Sequence, residues 1–127
     1  VKGNRDSYVP IRNDSGFSSD PFKFIRKMTE IYHPSVFYIA DIDSLISKSD
    51  NIDLIKDIAS ENKYINFWVD IGGKIDRRLI KKNIIPILCS EGCSSIKNIN
   101  YMYKDYIHSY DYKNRLLCLN SFNNFDY

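Results

Sequence analysis

The stretch FYIADIDSL, residues 37–45, decides the fold class, because an apolar, β-rich run in it ends in two carboxylates, Asp41 and Asp43. Three later runs have the same character, and each is followed by polar or glycine-containing sequence. With the first run counted from Val36, they predict four strands: VFYIADI (36–42), INFWVDI (65–71), IIPILCS (84–90) and RLLCLNS (115–121).

Segments with helical periodicity alternate with these strands. In SSDPFKFIRKMTEIYH (18–33), Asp20 is suited to cap a helix and Pro21 to occupy its first position. Further helices are predicted for DNIDLIKDIASEN (50–62), IDRRLIKKN (75–83) and SSIKNINYMYKDYIHS (94–109). The order αβαβαβαβ with nearly all-apolar strands predicts one α/β domain over residues 1–127, built on a parallel sheet that helices cover.

The composition excludes several classes of protein. The 18 basic and 16 acidic residues are interspersed and leave a net charge of +2, so no polycationic surface for nucleic acid or anionic lipid is expected. The longest apolar runs are far shorter than the ~20 residues of a membrane span, and the segment VKGNRDSYVP (1–10) has no hydrophobic signal core. The expected location is the cytoplasm.

The cysteines and histidines do not predict a metal site. The three cysteines are an odd number, and two of them lie inside apolar runs, which favours reduced, buried thiols. Cys89 and Cys93 form a C-x3-C pair, but His33 and His108 each lie near a predicted helix end with no second ligand nearby in sequence. Neither zinc nor another cofactor is therefore expected.

Polar residues close all four predicted strands. Asp41 and Asp43 end the first, Asp70 the second, Ser90 and Glu91 the third, and Asn120 the fourth. Ligands of parallel α/β folds bind beyond the carboxyl ends of the strands, so this pattern predicts a ligand site. The alternative is that these residues only begin loops or cap helices. Capping explains Asp43 as well as a ligand does, and it explains Asp41 less well, because Asp41 falls within the predicted strand.

Two of the following loops have features of phosphate sites. Gly72 and Gly73 lie between a strand and a helix, where their backbone N–H groups can approach an anion, and Lys74 adds positive charge. In SEGCSS (90–95), Gly92 and the serine hydroxyls precede the next predicted helix. A tight turn explains the glycines equally well, and Glu91 would repel a phosphate if it pointed into the loop.

Several segments together resemble successive parts of the (βα)8 barrels related to the histidine-biosynthesis isomerase and cyclase, the ProFAR isomerase family. The closer resemblance is to isomerase-like paralogues of methanogens and methylotrophs, which share the pattern W-x-D-x-G, here Trp68, Asp70 and Gly72. The resemblance extends along nearly the whole chain. Its segments are VKGNRDSYVPI (1–11), DPFKF (20–24), FYIADIDSL (37–45), FWVDIGGKI (67–75), ILCSEG (87–92) and LLCLNSF (116–122).

The resemblance implies a small phosphorylated metabolite as the ligand. It places the ligand's phosphate at the loops after barrel strands three and four, and the rest of the ligand across the barrel mouth. The implied phosphate-binding residues are Gly72, Gly73, Lys74, Ser90 and Gly92, and the implied substrate-binding residues are Arg5, Asp43 and Asp70, with Asp41 near them.

The resemblance also implies a reaction, an aldose to ketose rearrangement with one aspartate on barrel strand one and another on strand five as general acid and base. The sequence departs from the family at both places. Val1 falls just after the first barrel strand, and the strand-five position is Asn120, which cannot act as a base. Asp41 is the nearby carboxylate that would have to substitute, on a different strand. We therefore expect no isomerisation by this chain alone.

The length leaves the architecture and the function open. A full barrel needs about 250 residues, and only barrel strands two to five are accounted for. The chain is then a fragment of a longer gene, or a half barrel completed by a second copy or a complementing half-barrel chain. A flavodoxin-like doubly wound sheet is the alternative fold. Three functions follow: a sugar-phosphate isomerase, a non-catalytic phosphometabolite binder, or a remnant interaction domain.

Overall fold

The computed structural model describes Val9 and residues 16–46, 49–74, 76–90, 102–112 and 116–117 of the chain. The chain divides into two compact units, residues 1–35 and residues 36–127. Among the described residues, no helix is both long and apolar enough to cross a membrane.

In the first unit, the described residues form one helix, α1, which spans Pro21–Tyr32. The Asp20 carboxylate accepts hydrogen bonds from the N–H groups of Phe22 at 2.9 Å and Lys23 at 3.2 Å, so it satisfies two donors that a helix start leaves open. The helix ends at His33, whose left-handed backbone (φ 48°) lets its N–H reach the carbonyl of Thr29. The predicted helix and its cap are confirmed.

The second unit is an α/β fold with four parallel strands in one sheet, which confirms the predicted fold class. The strands follow one another across the sheet in chain order: β1 Val36–Ala40, β2 Asn66–Asp70, β3 Ile84–Cys89 and β4 Ile107–Ser109. The first three lie within the predicted runs, because each is apolar and rich in β-branched or aromatic side chains.

The connections between the strands match the predictions in part. A short helix, α2 (Ile42–Leu45), and a longer one, α3 (Ile52–Glu61), join β1 to β2. The α3 helix was predicted, and α2 was not. Between β2 and β3, a helix was predicted over 75–83, but the structure has only a 3-10 turn at Arg77–Leu79. The segment is short and has few apolar side chains, so a longer helix would bury too little apolar surface to be stable.

The prediction for the fourth strand was wrong. The strand that pairs with β3 is β4, which lies inside the segment 94–109 that was predicted to be helical. Leu116–Leu117 (β6), from the predicted fourth strand, pairs antiparallel with Asp111–Tyr112 (β5) in a separate two-stranded sheet. The physical reason is a competing period of two. Tyr106, His108 and Tyr110 alternate along the chain, and their rings are in contact, Tyr106 with His108 edge to face and His108 with Tyr110 stacked.

The two faces of the parallel sheet differ in burial. One face carries Phe67, Val69, Pro86 and Leu88, all with less than 2% of their surface exposed, and α3 adds Ile52, Ile55, Ile58 and Ala59 to this core. On the opposite face, which we call the open face, Tyr38 of β1 is 59% exposed and its register partner Trp68 of β2 is 39% exposed. Asp70 lies two residues beyond Trp68 and therefore on the open face too.

Candidate functional site

The carboxyl ends of the first three strands form one edge of the sheet. The N–H of Asp41 donates to the carbonyl of Asp70 at 2.9 Å, just after β1 pairs its last residue with β2. At the end of β3, the N–H of Ser90 donates to the carbonyl of Ser109 at 2.8 Å. Asp41, Asp70 and Ser90 therefore lie along the edge where ligands of parallel sheets bind.

Asp41 has a structural role at this edge. The strand ends at Ala40, and Asp41 is the N-cap of α2, with 3% of its surface exposed. Its carboxylate accepts from Ser44 Oγ at 2.7 Å, Asn51 N at 2.8 Å, Asn51 Nδ2 at 2.8 Å and Ser44 N at 3.4 Å. These four bonds use the acceptor positions of both oxygens. Neither oxygen therefore has an acceptor site free to exchange a proton with a ligand.

The hydrogen bonds also fix the charge of Asp41. Burial raises the pKa of this carboxyl, but the hydrogen bonds from Asn51 and Ser44 outweigh that effect, so the pKa lies below its ordinary value of 3.8. A general acid needs a proton to give near neutral pH, and Asp41 is ionised there. The structure thus favours the capping interpretation for Asp41, the residue for which the sequence favoured it less.

Asp43 belongs to the same loop network. It lies in the first turn of α2, and its Oδ2 accepts from Asn51 Nδ2 at 3.2 Å. The side-chain amide of Asn51 therefore donates to both carboxylates, that of Asp41 and that of Asp43. Since the chain turns into a helix after Ala40, Asp41 and Asp43 do not continue the face of β1, as strand periodicity would require.

Asp70 is the carboxylate that the sheet presents on its open face. Its Oδ1 accepts from the N–H of Gly72 at 2.9 Å and from the thiol of Cys89 at 3.2 Å. Its Oδ2 accepts from the hydroxyl of Tyr38 at 3.3 Å. Cys89 is a free cysteine and is buried, whereas Asp70 is half-buried and Tyr38 exposed. The three side chains come from three adjacent strands and meet at the carboxyl edge.

The loop after β2 folds back on α2. Gly72 and Gly73 have positive φ angles of 80° and 71°, a conformation that favours glycine. A Cβ on Gly72 would lie 3.1 Å from Cδ2 of Leu45, and Lys74 Nζ donates to the carbonyl of Ser44 at 2.7 Å. A tight turn therefore accounts for Gly72. Phosphate binding by Gly72, Gly73 and Lys74 stays a prediction.

The remaining predicted site residues are placed as follows. Ser90 is buried at the end of β3, with 4% of its surface exposed. Arg5, Gly92 and Asn120 lie outside the residues that the structure describes, and so do Glu91, Cys93 and Cys118. In the part of the chain that is described, no group of three or more His, Cys, Asp or Glu side chains could hold a metal ion.

Sequence reasoning missed Tyr38 and Cys89 as partners of Asp70. Tyr38 was given no role in the site, and Cys89 was interpreted as a reduced, buried thiol. The sequence held no signal for the Tyr38 contact, because aligning the ends of the predicted runs 36–42 and 65–71 pairs Tyr38 with Phe67, whereas the structure pairs it with Trp68.

An ion-pair network around Arg78 was also not predicted. The guanidinium donates to Asp76 Oδ2 at 2.7 Å and to both carboxylate oxygens of Asp50, at 3.1 and 2.9 Å. These hydrogen bonds lower the pKa of Asp50 and Asp76 and raise that of Arg78. The network connects the 3-10 turn to the residues just before α3, so its role is structural.

A groove of about 530 Å³ lies at the other end of the strands, near the first residues of β2 and β3. Its lining includes Lys81, Lys82, Lys104 and the ring of Tyr103. The Tyr103 hydroxyl accepts from the N–H of Asp76 at 2.8 Å and donates to its carbonyl at 2.7 Å. Two hydrogen bonds thus fix the position of the tyrosine that lines the groove. The groove lies at the amino ends of the strands, away from the carboxyl edge.

Comparison with known proteins gives one distant relative. No family model matches the chain, and no solved structure matches it significantly. An uncharacterized protein of Methanocaldococcus jannaschii, MJ0703, is 29% identical over 114 residues. The match covers 88% of this chain and 49% of the relative, so the chain spans about half the length of that protein.

Proposed function

We propose that the chain binds a phosphorylated sugar at the carboxyl edge of β1, β2 and β3, as the ligand-holding part of a (βα)8 barrel of the ProFAR isomerase type. The observation that carries the proposal is the strand order. Four parallel strands follow one another in chain order, and a half-buried carboxylate and a two-glycine loop lie at the edge where ligands of such sheets bind.

The strand order favours a barrel over a flavodoxin-like sheet. Connections between parallel strands are right-handed, so connections that all step in the same direction lie on the same face of the sheet. A doubly wound sheet reverses direction once and thereby covers both faces. The described strands contain no such reversal. One face is well buried and the open face leaves Tyr38 and Trp68 exposed, as a singly wound sheet would.

The length of the relative supports the same proposal. Since the 114 matched residues are 49% of the M. jannaschii protein, that protein is roughly 230 residues long. A typical (βα)8 barrel has about 250 residues. We propose that further strands complete the barrel, from a longer chain, a complementing half-barrel chain or a second copy.

Asp41 favours binding without turnover. The carboxylate that would have to replace the missing acid or base is buried and hydrogen-bonded four times within its own loop. A non-catalytic phosphometabolite binder is therefore the second candidate, and it predicts the same ligand with no reaction. We place either activity in the cytoplasm, where phosphorylated sugars coexist with reduced thiols such as that of Cys89.

Amide NMR titration tests the proposal. Inorganic phosphate and ribose 5-phosphate should shift the amide signals of Gly72, Gly73 and Lys74 before others. Gly73→Asp should abolish the shifts by placing a charge and a Cβ in the loop. The matched control is Gly16→Asp, since Gly16 also has a positive φ, of 73°, but lies in the other unit. Absent or uniform shifts in the wild type would refute phosphate binding at this loop.

A further inference from the structure

We infer that the groove at the amino ends of β2 and β3 binds a small organic phosphate through Lys81, Lys82 and Lys104. The ligand combines a phosphate group with an apolar part. Because the groove lies away from the carboxyl edge, this site is separate from the one proposed above, and neither depends on the other.

The lining of the groove carries an excess of positive charge. It includes the three lysines, and Asp105 is the one acidic residue among the described lining residues. In the described part of the chain, none of the three ammonium groups makes a hydrogen bond or an ion pair. Positive groups around a concave surface raise the local concentration of anions. An anion therefore complements the groove.

Arg78, in the turn just before the groove, shows how the fold surrounds a cation that has a structural role. Its Nη2 lies 2.9 Å from Asp50 Oδ2 and 2.7 Å from Asp76 Oδ2. Lys81 and Lys82 follow within a few residues, and no carboxylate of the described residues pairs with either of them. Their charge is thus available to a ligand.

The segment that carries Lys81 and Lys82 is held in place by the residue that follows it, Asn83. This side chain is buried, with 8% of the residue's surface exposed, and its Nδ2 donates to the carbonyls of Ala59 at 2.9 Å and Ile65 at 3.1 Å. These bonds attach the segment to α3 and to the residue just before β2. A backbone fixed before binding loses little freedom when a ligand arrives.

The other side of the groove is fixed by Tyr103, which directly precedes Lys104. The Tyr103 hydroxyl is bonded to both the N–H and the carbonyl of Asp76, at 2.8 and 2.7 Å. The backbone next to Lys104 is therefore anchored as well, and only the flexible lysine side chains have to become ordered around a ligand.

The size and the apolar lining define the rest of the ligand. A volume of about 530 Å³ suits a small molecule. Ile80 is 57% exposed and Met102 is half-buried, so the lining offers apolar surface beside the lysines. A phosphate monoester has nearly two charges and three acceptor oxygens near neutral pH, enough to meet three ammonium groups, whereas a carboxylate has one charge.

The site stays accessible in the barrel proposed above. Lys81 and Lys82 precede β3 and Lys104 precedes β4, so all three belong to the connections at the amino ends of the strands. In a (βα)8 barrel these connections lie on the face opposite to the carboxyl ends. Closure of the barrel would leave them at the surface.

Methionine methyl NMR of the full chain tests the inference. The chain has two methionines, Met102 in the groove and Met28 in α1 of the first unit, and Met28→Leu assigns the two signals. Phenyl phosphate should shift the Met102 signal, because its ring lies beside the methyl group, and leave Met28 unchanged. Inorganic phosphate, which lacks the apolar part, and benzyl alcohol, which lacks the charge, should both bind more weakly.

Charge variants identify the groups that bind. Lys81→Gln, Lys82→Gln and Lys104→Gln should each weaken phenyl phosphate about two- to fivefold, the range for an exposed ion pair. Asp105→Asn should strengthen it, because a negative charge leaves the lining. The matched control is Lys63→Gln, at an exposed lysine that precedes β2 and does not line the groove, and it should bind as wild type does.

Several outcomes would overturn the inference. Phenyl phosphate binding that the three lysine variants leave unchanged would show that the lysines are not its partners. Inorganic phosphate or benzyl alcohol bound as tightly as phenyl phosphate would show that the groove does not need both parts of the ligand. Binding should also weaken between about 10 mM and about 150 mM salt, as the Debye length falls from about 30 Å to about 8 Å; no change with salt would exclude a charge-based site.

The readouts separate this inference from the proposed function. If the amides of Gly72 to Lys74 respond to phosphate while Met102 responds to no ligand, the inference is wrong and the proposed function stands. A response of Met102 without any response of the loop amides supports the inference and refutes phosphate binding at the loop.

Discussion

Asp41 accepts two hydrogen bonds from a single residue, Asn51, whose backbone N–H lies 2.8 Å from Oδ2 and whose Nδ2 lies 2.8 Å from Oδ1. These two bonds join Asp41, which directly follows β1, to Asn51, which directly precedes α3. The buried carboxylate of Asp41 is thus fully engaged by hydrogen-bond donors of the protein itself. This relationship determines how the edge of the sheet responds to mutation and to acid.

Replacing Asp41 should destabilise the second unit. In Asp41→Asn, the amide keeps one acceptor oxygen, and its NH2 group faces the donors of Ser44 and Asn51. We expect a loss of about 1–3 kcal/mol in the free energy of unfolding, the range for leaving buried donors without an acceptor. Urea unfolding followed by circular dichroism measures it, with Asp57→Asn as the exposed control. A variant as stable as wild type would contradict the capping role.

The same carboxylate should make the fold sensitive to acid. Because the folded-state pKa of Asp41 is lowered, its contribution to stability is fully present above the unfolded-state pKa, near 3.8. The contribution is lost as the pH falls from there through the folded-state pKa. The stability difference between wild type and Asp41→Asn should therefore be constant at neutral pH and shrink below about pH 4. A difference that does not change with pH would be inconsistent with an ionised Asp41.

Gly72→Ala should cost more stability than Gly16→Ala. Both glycines have positive φ angles, 80° and 73°, so both variants bear the backbone strain of about 1–2 kcal/mol. At Gly72 the new Cβ also meets Leu45 Cδ2 at 3.1 Å, whereas at Gly16 the near atom is the flexible end of Lys27. Thermal unfolding compares the two. If Leu45→Ala removes the excess cost of Gly72→Ala, the contact with α2 is its cause.

The chain alone should not catalyse ProFAR isomerisation. Asp41 is not available as an acid or base, and Asn120, which the family resemblance places on barrel strand five, is neutral at every pH. General acid and base groups supply about 10² to 10⁴ in rate each, so the loss of both should place turnover below detection. A coupled assay with purified chain measures it. The constructive test combines Asn120→Asp with a complementing chain that would supply the other strands of the proposed barrel. Robust turnover by the unmodified chain would show that other residues do the chemistry.

The local sequence was sufficient to predict the elements that depend on short-range order. Asp20 and Pro21 predicted the start of α1, because a cap and a first-turn proline act within one turn. The apolar runs predicted β1, β2 and β3, since a strand buried on a parallel sheet needs continuous apolar residues. Their parallel direction followed from alternation with helical segments.

The tertiary structure alone decided β4 and the roles of the aspartates. The sequence around residues 107–109 fits both helical and strand periodicity, so no local pattern distinguishes the two. Pairing with β3 makes the segment a strand. Asp41 became a cap because Asn51, ten residues later, reaches it. Asp70 gained Tyr38 and Cys89 through the register of three strands. Each outcome depends on which distant groups compete for the same hydrogen bond, and chain folding, not sequence spacing, sets those distances.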